Sequence, residues 1–194
     1  GGTASNDGDI SNFFGGSDYW IVKLNGDGEI DWEKCYGGSD LDVAFAVRQT
    51  SDGGYIVAGG AASDDGDVEG NHGESDFWIV KLLSNGDIDW QQTFGGNGTD
   101  IPYAIEETPE GHFIVAGSSN SNNGDVSGNH GGIDYWILKL NSGGDLLWQK
   151  SLGGSVLDQA KSVLYSSDGR CVIAGESESS DGDISDSKGD ADFW

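Results

Sequence analysis

The chain has 194 residues, 34 of them glycine and 34 acidic against nine Lys and Arg, for a formal charge of −25. That charge excludes nucleic acid as a partner, because phosphate binding needs clustered Lys and Arg; it disfavours anionic membranes and favours cations. An apolar content of 35% would suit disorder, but seven Trp, six Tyr and seven Phe carry enough buried area to predict one ordered, loop-rich, all-β domain.

In chain order, the residues repeat at a step of 58 with no slip. Trp20, Trp78, Trp136 and Trp194 share one position, and Asp18, Asp76, Asp134 and Asp192 another. Residues 1–38 read as a partial unit, 39–96 and 97–154 as whole units, and 155–194 as a further partial one. Within a unit, 42–50 (DVAFAVRQT) predicts a first strand, and SDGG a turn in which Gly53, Gly111 and Gly169 take positive φ. Residues 55–59 (YIVAG) predict a second strand, apolar on both faces and therefore covered on both. A long polar loop follows, then strands at 76–83 (DFWIVKLL) and 87–94 (DIDWQQTF) joined by SNG. Four antiparallel strands per repeat with aromatics at fixed places fit a β-propeller blade. A β-solenoid is the alternative, with coils that usually repeat at shorter periods. The chain then supplies about three blades plus a partial one. A ring needs about four to eight, so further blades of the same or other chains are expected partners. The opening Gly and the lack of any Met suggest a piece of a longer polypeptide.

The polar loop occurs four times, as DGDISNFFGGSD, DGDVEGNHGESD, NGDVSGNHGGID and DGDISDSKGDAD. Calcium takes six to eight oxygens, and residues at alternate positions of a tight loop can turn theirs inward together, as positions 1, 3, 5 and 12 of an EF-hand loop do. By that spacing the candidate ligands are Asp7, Asp9, Ser11 and Asp18; Asp65, Asp67, Glu69 and Asp76; Asn123, Asp125, Ser127 and Asp134; and Asp181, Asp183, Ser185 and Asp192. Position 6 holds Asn12, Gly70, Gly128 or Asp186, and position 9 is always Gly. Position 12 is Asp rather than Glu, and no helix pattern flanks the loop. A metal-free reading stands beside this one, in which the Asp side chains satisfy turn amides.

Two Cys and three His do not approach zinc spacing. Cys35 and Cys171 occupy non-equivalent positions and read as free, and His72, His112 and His130 read as solvated. No nucleophile elbow, phosphate loop or nucleotide fingerprint is present, and no run predicts membrane insertion. The Trp20 series reads as packing between blades, with sugar stacking the sharper alternative.

The pattern S-x-[DN]-G-D-[IV]-S-G-N-H-G-G-x-D-Y-W-[IV]-[VL]-K-L, followed by G-x-I-x-W-x-x-x-[YF]-G-G and S-D-G-G-Y-I-V-A-G, resembles the Gly/Asp-rich propeller-type repeats of secreted Bacteroidota surface proteins, similar to type IX secretion cargo. The resemblance covers the whole chain, departing at Phe13–Phe14 and in 185–192. It implies an extracellular or cell-surface address. The expected function is a non-catalytic, calcium-stabilised module for binding or adhesion to a surface ligand, a glycan or a protein. The alternatives are a structural spacer or cargo body, and a propeller glycosidase or lyase.

Overall fold

The computed structural model describes residues 2–5, 7–11, 13–166, 168–185 and 187–194. Glycines set the strand ends: Gly53, Gly111 and Gly169 have φ of 86°, 76° and 83°, a conformation in which a Cβ is strained. The strands between them are β1 (Gly2–Thr3), β2 (Asp18–Leu24), β3 (Ile30–Tyr36), β4 (Asp42–Gln49), β5 (Tyr55–Ala61), β6 (Asp76–Leu82) and β7 (Ile88–Phe94). They continue as β8 (Asp100–Glu107), β9 (Phe113–Ser119), β10 (Asp134–Leu140), β11 (Leu146–Leu152), β12 (Asp158–Tyr165), β13 (Cys171–Ser177) and β14 (Asp192–Phe193). The described residues contain no helix. The second strand of each whole unit runs two residues past the sequence expectation, because Gly60 and Ala61 pair with Phe77 and Asp76.

These strands form four antiparallel sheets: β1-β2-β3, β4-β5-β6-β7, β8-β9-β10-β11 and β12-β13-β14. Isolated parallel bridges Ser17–Leu41, Ser75–Thr99 and Ile133–Leu157 tie the end of each polar loop to the start of the next sheet. Side chains alternate across a strand, and here both faces are used. Ile56, Ala58, Phe77 and Ile79 join a core with Ile105, Val115 and Trp136 of the third sheet. Val57, Trp78, Val80 and Leu82, one residue out of phase, join a core with Tyr19 and Tyr36 of the first. A third core packs Ile114, Ala116, Tyr135 and Ile137 against Ala160 and Val163. The sheets therefore stack face to face, as blades do.

One aromatic pair recurs in every stack. Each Trp faces the preceding sheet and meets the aromatic one residue before the equivalent Trp there: Tyr19–Trp78, Phe77–Trp136 and Tyr135–Trp194, with ring centroids 4.5, 4.6 and 4.8 Å apart. Tyr19 also donates its hydroxyl to the Trp78 carbonyl at 3.1 Å. Trp78 and Trp136 are fully buried, which makes packing the role of this series; Trp20, on the first sheet, is half-buried. The apolar residue at position 4 of the loop is a second fastener, since Val68 and Val126 are buried within the second and first of these cores respectively.

The first strand of the second, third and fourth sheets carries a bulge, between Ala44 and Ala46, Pro102 and Ala104, and Ala160 and Ser162. The bulged residues are Phe45, Tyr103 and Lys161. They line up across the sheets, with Phe45 and Tyr103 rings 5.6 Å apart and Lys161 Nζ 3.9 Å from the Tyr103 centroid.

Lys81 is a buried cation, its side chain 5% exposed, and donates to Asp52 at 2.8 Å. Hydrogen bonding from Lys81 holds the Asp52 carboxyl well below the usual carboxylate range. Asp52→Asn is expected to destabilise the chain by about 1 kcal/mol, a charged hydrogen bond discounted for the exposed partner. The folded-state pKa lies below the unfolded one, so the contribution is complete above the unfolded value and disappears as pH falls toward the folded one. Urea unfolding at pH 7 and pH 3 checks this: the difference between wild type and variant should shrink at the lower pH.

Candidate functional site

The glycine pair that links one sheet to the next organises the acidic residues. In Gly37-Gly38-Ser39 and its equivalents the backbone amides point at side-chain oxygens from three directions. Gly96 N donates to Asp100 Oδ2 at 2.8 Å, Asn97 N to Asn123 Oδ1 at 2.9 Å, and Gly95 N to Asp125 Oδ2 at 3.2 Å. Around Gly37 the same set is Gly38 N to Asp42 at 2.9 Å, Ser39 N to Asp65 at 2.7 Å and Gly37 N to Asp67 at 3.4 Å. Around Gly153 it is Gly154 N to Asp158, Ser155 N to Asp181 and Gly153 N to Asp183, at 2.8, 2.8 and 3.3 Å. Ser63, Ser121 and Ser179 add hydroxyl donors to Asp42, Asp100 and Asp158, at 2.8, 2.9 and 2.9 Å.

This geometry separates residues that the sequence spacing groups together. Positions 1 and 3 of a loop reach back to the link before their own sheet. Position 12 caps its own loop instead: Asp18 accepts from Phe14 N at 2.7 Å, Asp76 from His72 N at 2.8 Å, Asp134 from His130 N at 2.7 Å and Asp192 from Lys188 N at 2.5 Å. Position 5 turns to the last strand of its own sheet. Ser11 Oγ meets Glu33 Oε1 at 2.6 Å, the Glu69 carbonyl accepts from Thr93, and Ser127 accepts from Gln149 and Ser151. Asp7 accepts from Ser5 Oγ at 2.5 Å, while Asp9 and Ser185 lie exposed. Among the described residues, no three His, Cys, Asp or Glu side chains are arranged to hold a metal together. Position 9 has positive φ at Gly15, Gly131 and Gly189 but not at Gly73, and position 6 has it at Gly70 and Gly128; Asn12 and Asp186 lie outside the described residues.

What converges instead is a pair of aspartates from successive sheets. Asp18 and Asp42, Asp76 and Asp100, and Asp134 and Asp158 are all fully buried. Their Oδ2 atoms take the amide and hydroxyl bonds above. The Oδ1 atoms of Asp18, Asp76, Asp100, Asp134 and Asp158 are buried without a partner. Both members of a pair aim at the first glycine of the link. A Cβ on Gly37 would stand 2.5 Å from Asp18 Oδ1 and 2.9 Å from Asp42 Oδ2, and one on Gly153 would stand 2.8 Å from Asp134 Oδ1 and 2.6 Å from Asp158 Oδ2. Burial pushes the carboxyls of Asp18, Asp42, Asp76, Asp100 and Asp134 upward, aided at Asp18, Asp76 and Asp134 by the facing carboxylate. Two like charges held close together away from solvent repel more strongly than they would in water. The three Asp at 42, 100 and 158 escape a local reading because each looks like the first residue of a strand, although they repeat at the same step of 58.

His72 and His130 differ from expectation. They are anchored rather than merely solvated, each placing Nδ1 on the buried Asp of its own loop, at 2.8 and 2.9 Å. His130 Nε2 also lies 3.8 Å from Asp183 of the next loop. The Nδ1 of His112 is buried without a partner. Cys35 and Cys171 are free, as expected.

No protein-family model matches this chain, and no curated protein matches it. Among solved structures it is similar to a protein of unknown function from Bacteroides caccae, at 16% identity and a TM-score of 0.32, over 80% of this chain. The alignment spans 61% of that protein, and a likeness of this degree carries no argument about activity.

Proposed function

We propose that this chain is a segment of a secreted or cell-surface β-propeller that acts as a calcium-stabilised, non-catalytic module for binding or adhesion. The observation that supports this reading best is the repetition of one acidic loop beside each sheet, with successive loops close enough for His130 of one to approach Asp183 of the next. Near-identical sites in series suit multivalent capture of a repetitive ligand, where weak contacts add through effective concentration. They suit catalysis less, since an active site draws on residues that differ from their equivalents. A surface glycan or a protein on a neighbouring cell is the partner class, and the other blades of the ring would complete the platform.

The test is a glycan and surface-protein array probed with the full chain in calcium and again after chelation. Retention that depends on calcium is expected. The same preparation should melt higher with calcium, by about 2.7 kcal/mol of stabilisation at 100 times Kd. Absence of binding in both conditions, with an intact fold, would leave a structural spacer.

A further inference from the structure

We propose that calcium sits not within single loops but between successive sheets, one ion at each pair Asp18/Asp42, Asp76/Asp100 and Asp134/Asp158. This deepens the calcium part of the reading above and rests on it. The argument begins with charge. Two carboxylates are brought together where solvent does not reach them, and buried anions without a partner are costly. The protein satisfies one oxygen of each with amides and hydroxyls, and leaves Oδ1 unpartnered in five of the six. The sixth, Asp42 Oδ1, has only a long bond of 3.3 Å from Ser63 N.

Convergence comes next. Both carboxylates of a pair close on the same link residue, which is glycine in all three places; a Cβ there would run into both. Gly37, Gly95 and Gly153 are not among the glycines with positive φ, so backbone freedom does not require them. The close approach of the two acids does. Two aspartates balance a doubly charged ion, and calcium accepts backbone carbonyl oxygens beside carboxylates in its shell. Zinc favours tetrahedral nitrogen and sulfur ligands, and among the described residues no three His, Cys, Asp or Glu side chains are arranged to hold one. An ion so placed bridges two sheets, whereas an ion inside one loop would fasten only that loop.

Counting separates the two placements. The chain contains four copies of the loop, but its described residues form three aspartate pairs. Calcium titrated calorimetrically into the chelator-stripped chain is expected to bind at three sites, and any other wild-type count overturns the proposal. Asp100→Asn, which keeps the shape of the side chain, should leave two sites, as should Asp158→Asn; circular dichroism confirms that each variant is folded. Glu69→Gln, in the loop but outside any pair, should leave three. Four sites, reduced by Glu69→Gln and untouched by Asp100→Asn, would place the ions in the loops and keep the calcium reading. No calcium binding at all would remove both.

Discussion

Trp136→Ala is expected to destabilise the chain by about 3–5 kcal/mol, the range for removing a large buried aromatic. The same change at Trp20 should cost under about 1.5 kcal/mol, as for a partly exposed apolar side chain. The two residues occupy one repeat position in nearly the same local sequence, DYWIVKL and DYWILKL, so intrinsic strand preference largely cancels in the comparison. What differs is the neighbour. Trp136 is fully buried against Phe77, with its indole N–H donated to Gln149 at 2.9 Å. Trp20 makes the equivalent indole bond, to Glu33 at 3.2 Å, but among the described residues no other sheet covers it. Chemical unfolding of both variants checks the prediction, and equal losses would refute the claim that the stabilisation comes from contact between sheets.

Gly117→Ala should be nearly as severe, at about 3 kcal/mol or more, the upper end for overpacking. Gly117 lies on β9 opposite Pro102 of β8, beside the bulge at Tyr103. Its Cβ would collide with the Ile101 carbonyl oxygen and stand 2.6 Å from Pro102 Cα and 2.7 Å from Phe77 Cζ. Two of those three obstacles are backbone and cannot rotate away. Gly111→Ala offers the contrast: nothing lies within 4 Å of its Cβ, so it pays only for a φ of 76°, about 1 kcal/mol. If thermal melts place the two variants together, the close approach of strands at the bulge is not what demands glycine at 117.

Strand positions were legible because two independent signals coincide in each unit: turn glycines at the ends and aromatic or β-branched residues between. The double-faced burial of β5 could be read from its unbroken apolar run. The role of the acidic loop could not be read in the same way. Asp65 bonds Ser39, and Asp67 bonds Gly37, 26 and 30 residues earlier, so the partners of one loop lie in the link before its own sheet. Spacing along the chain reports neighbours only within a turn or two, and here the folded neighbours are set by how sheets stack. Asp42, Asp100 and Asp158 were hidden for the converse reason, since a strand-starting Asp needs no further explanation until its burial is seen. The anchored histidines followed the same rule, because only the folded loop brings His72 onto Asp76.

The aromatic pair, the aspartate pair and the glycine link all belong to the seam between sheets rather than to any sheet alone. Each seam draws its parts from the same positions of two consecutive repeats. Losing or duplicating 58 residues would therefore leave every surviving seam with its full complement of parts, whichever residue the cut fell on. Such a chain can change length in whole units during its history without relearning how to fold.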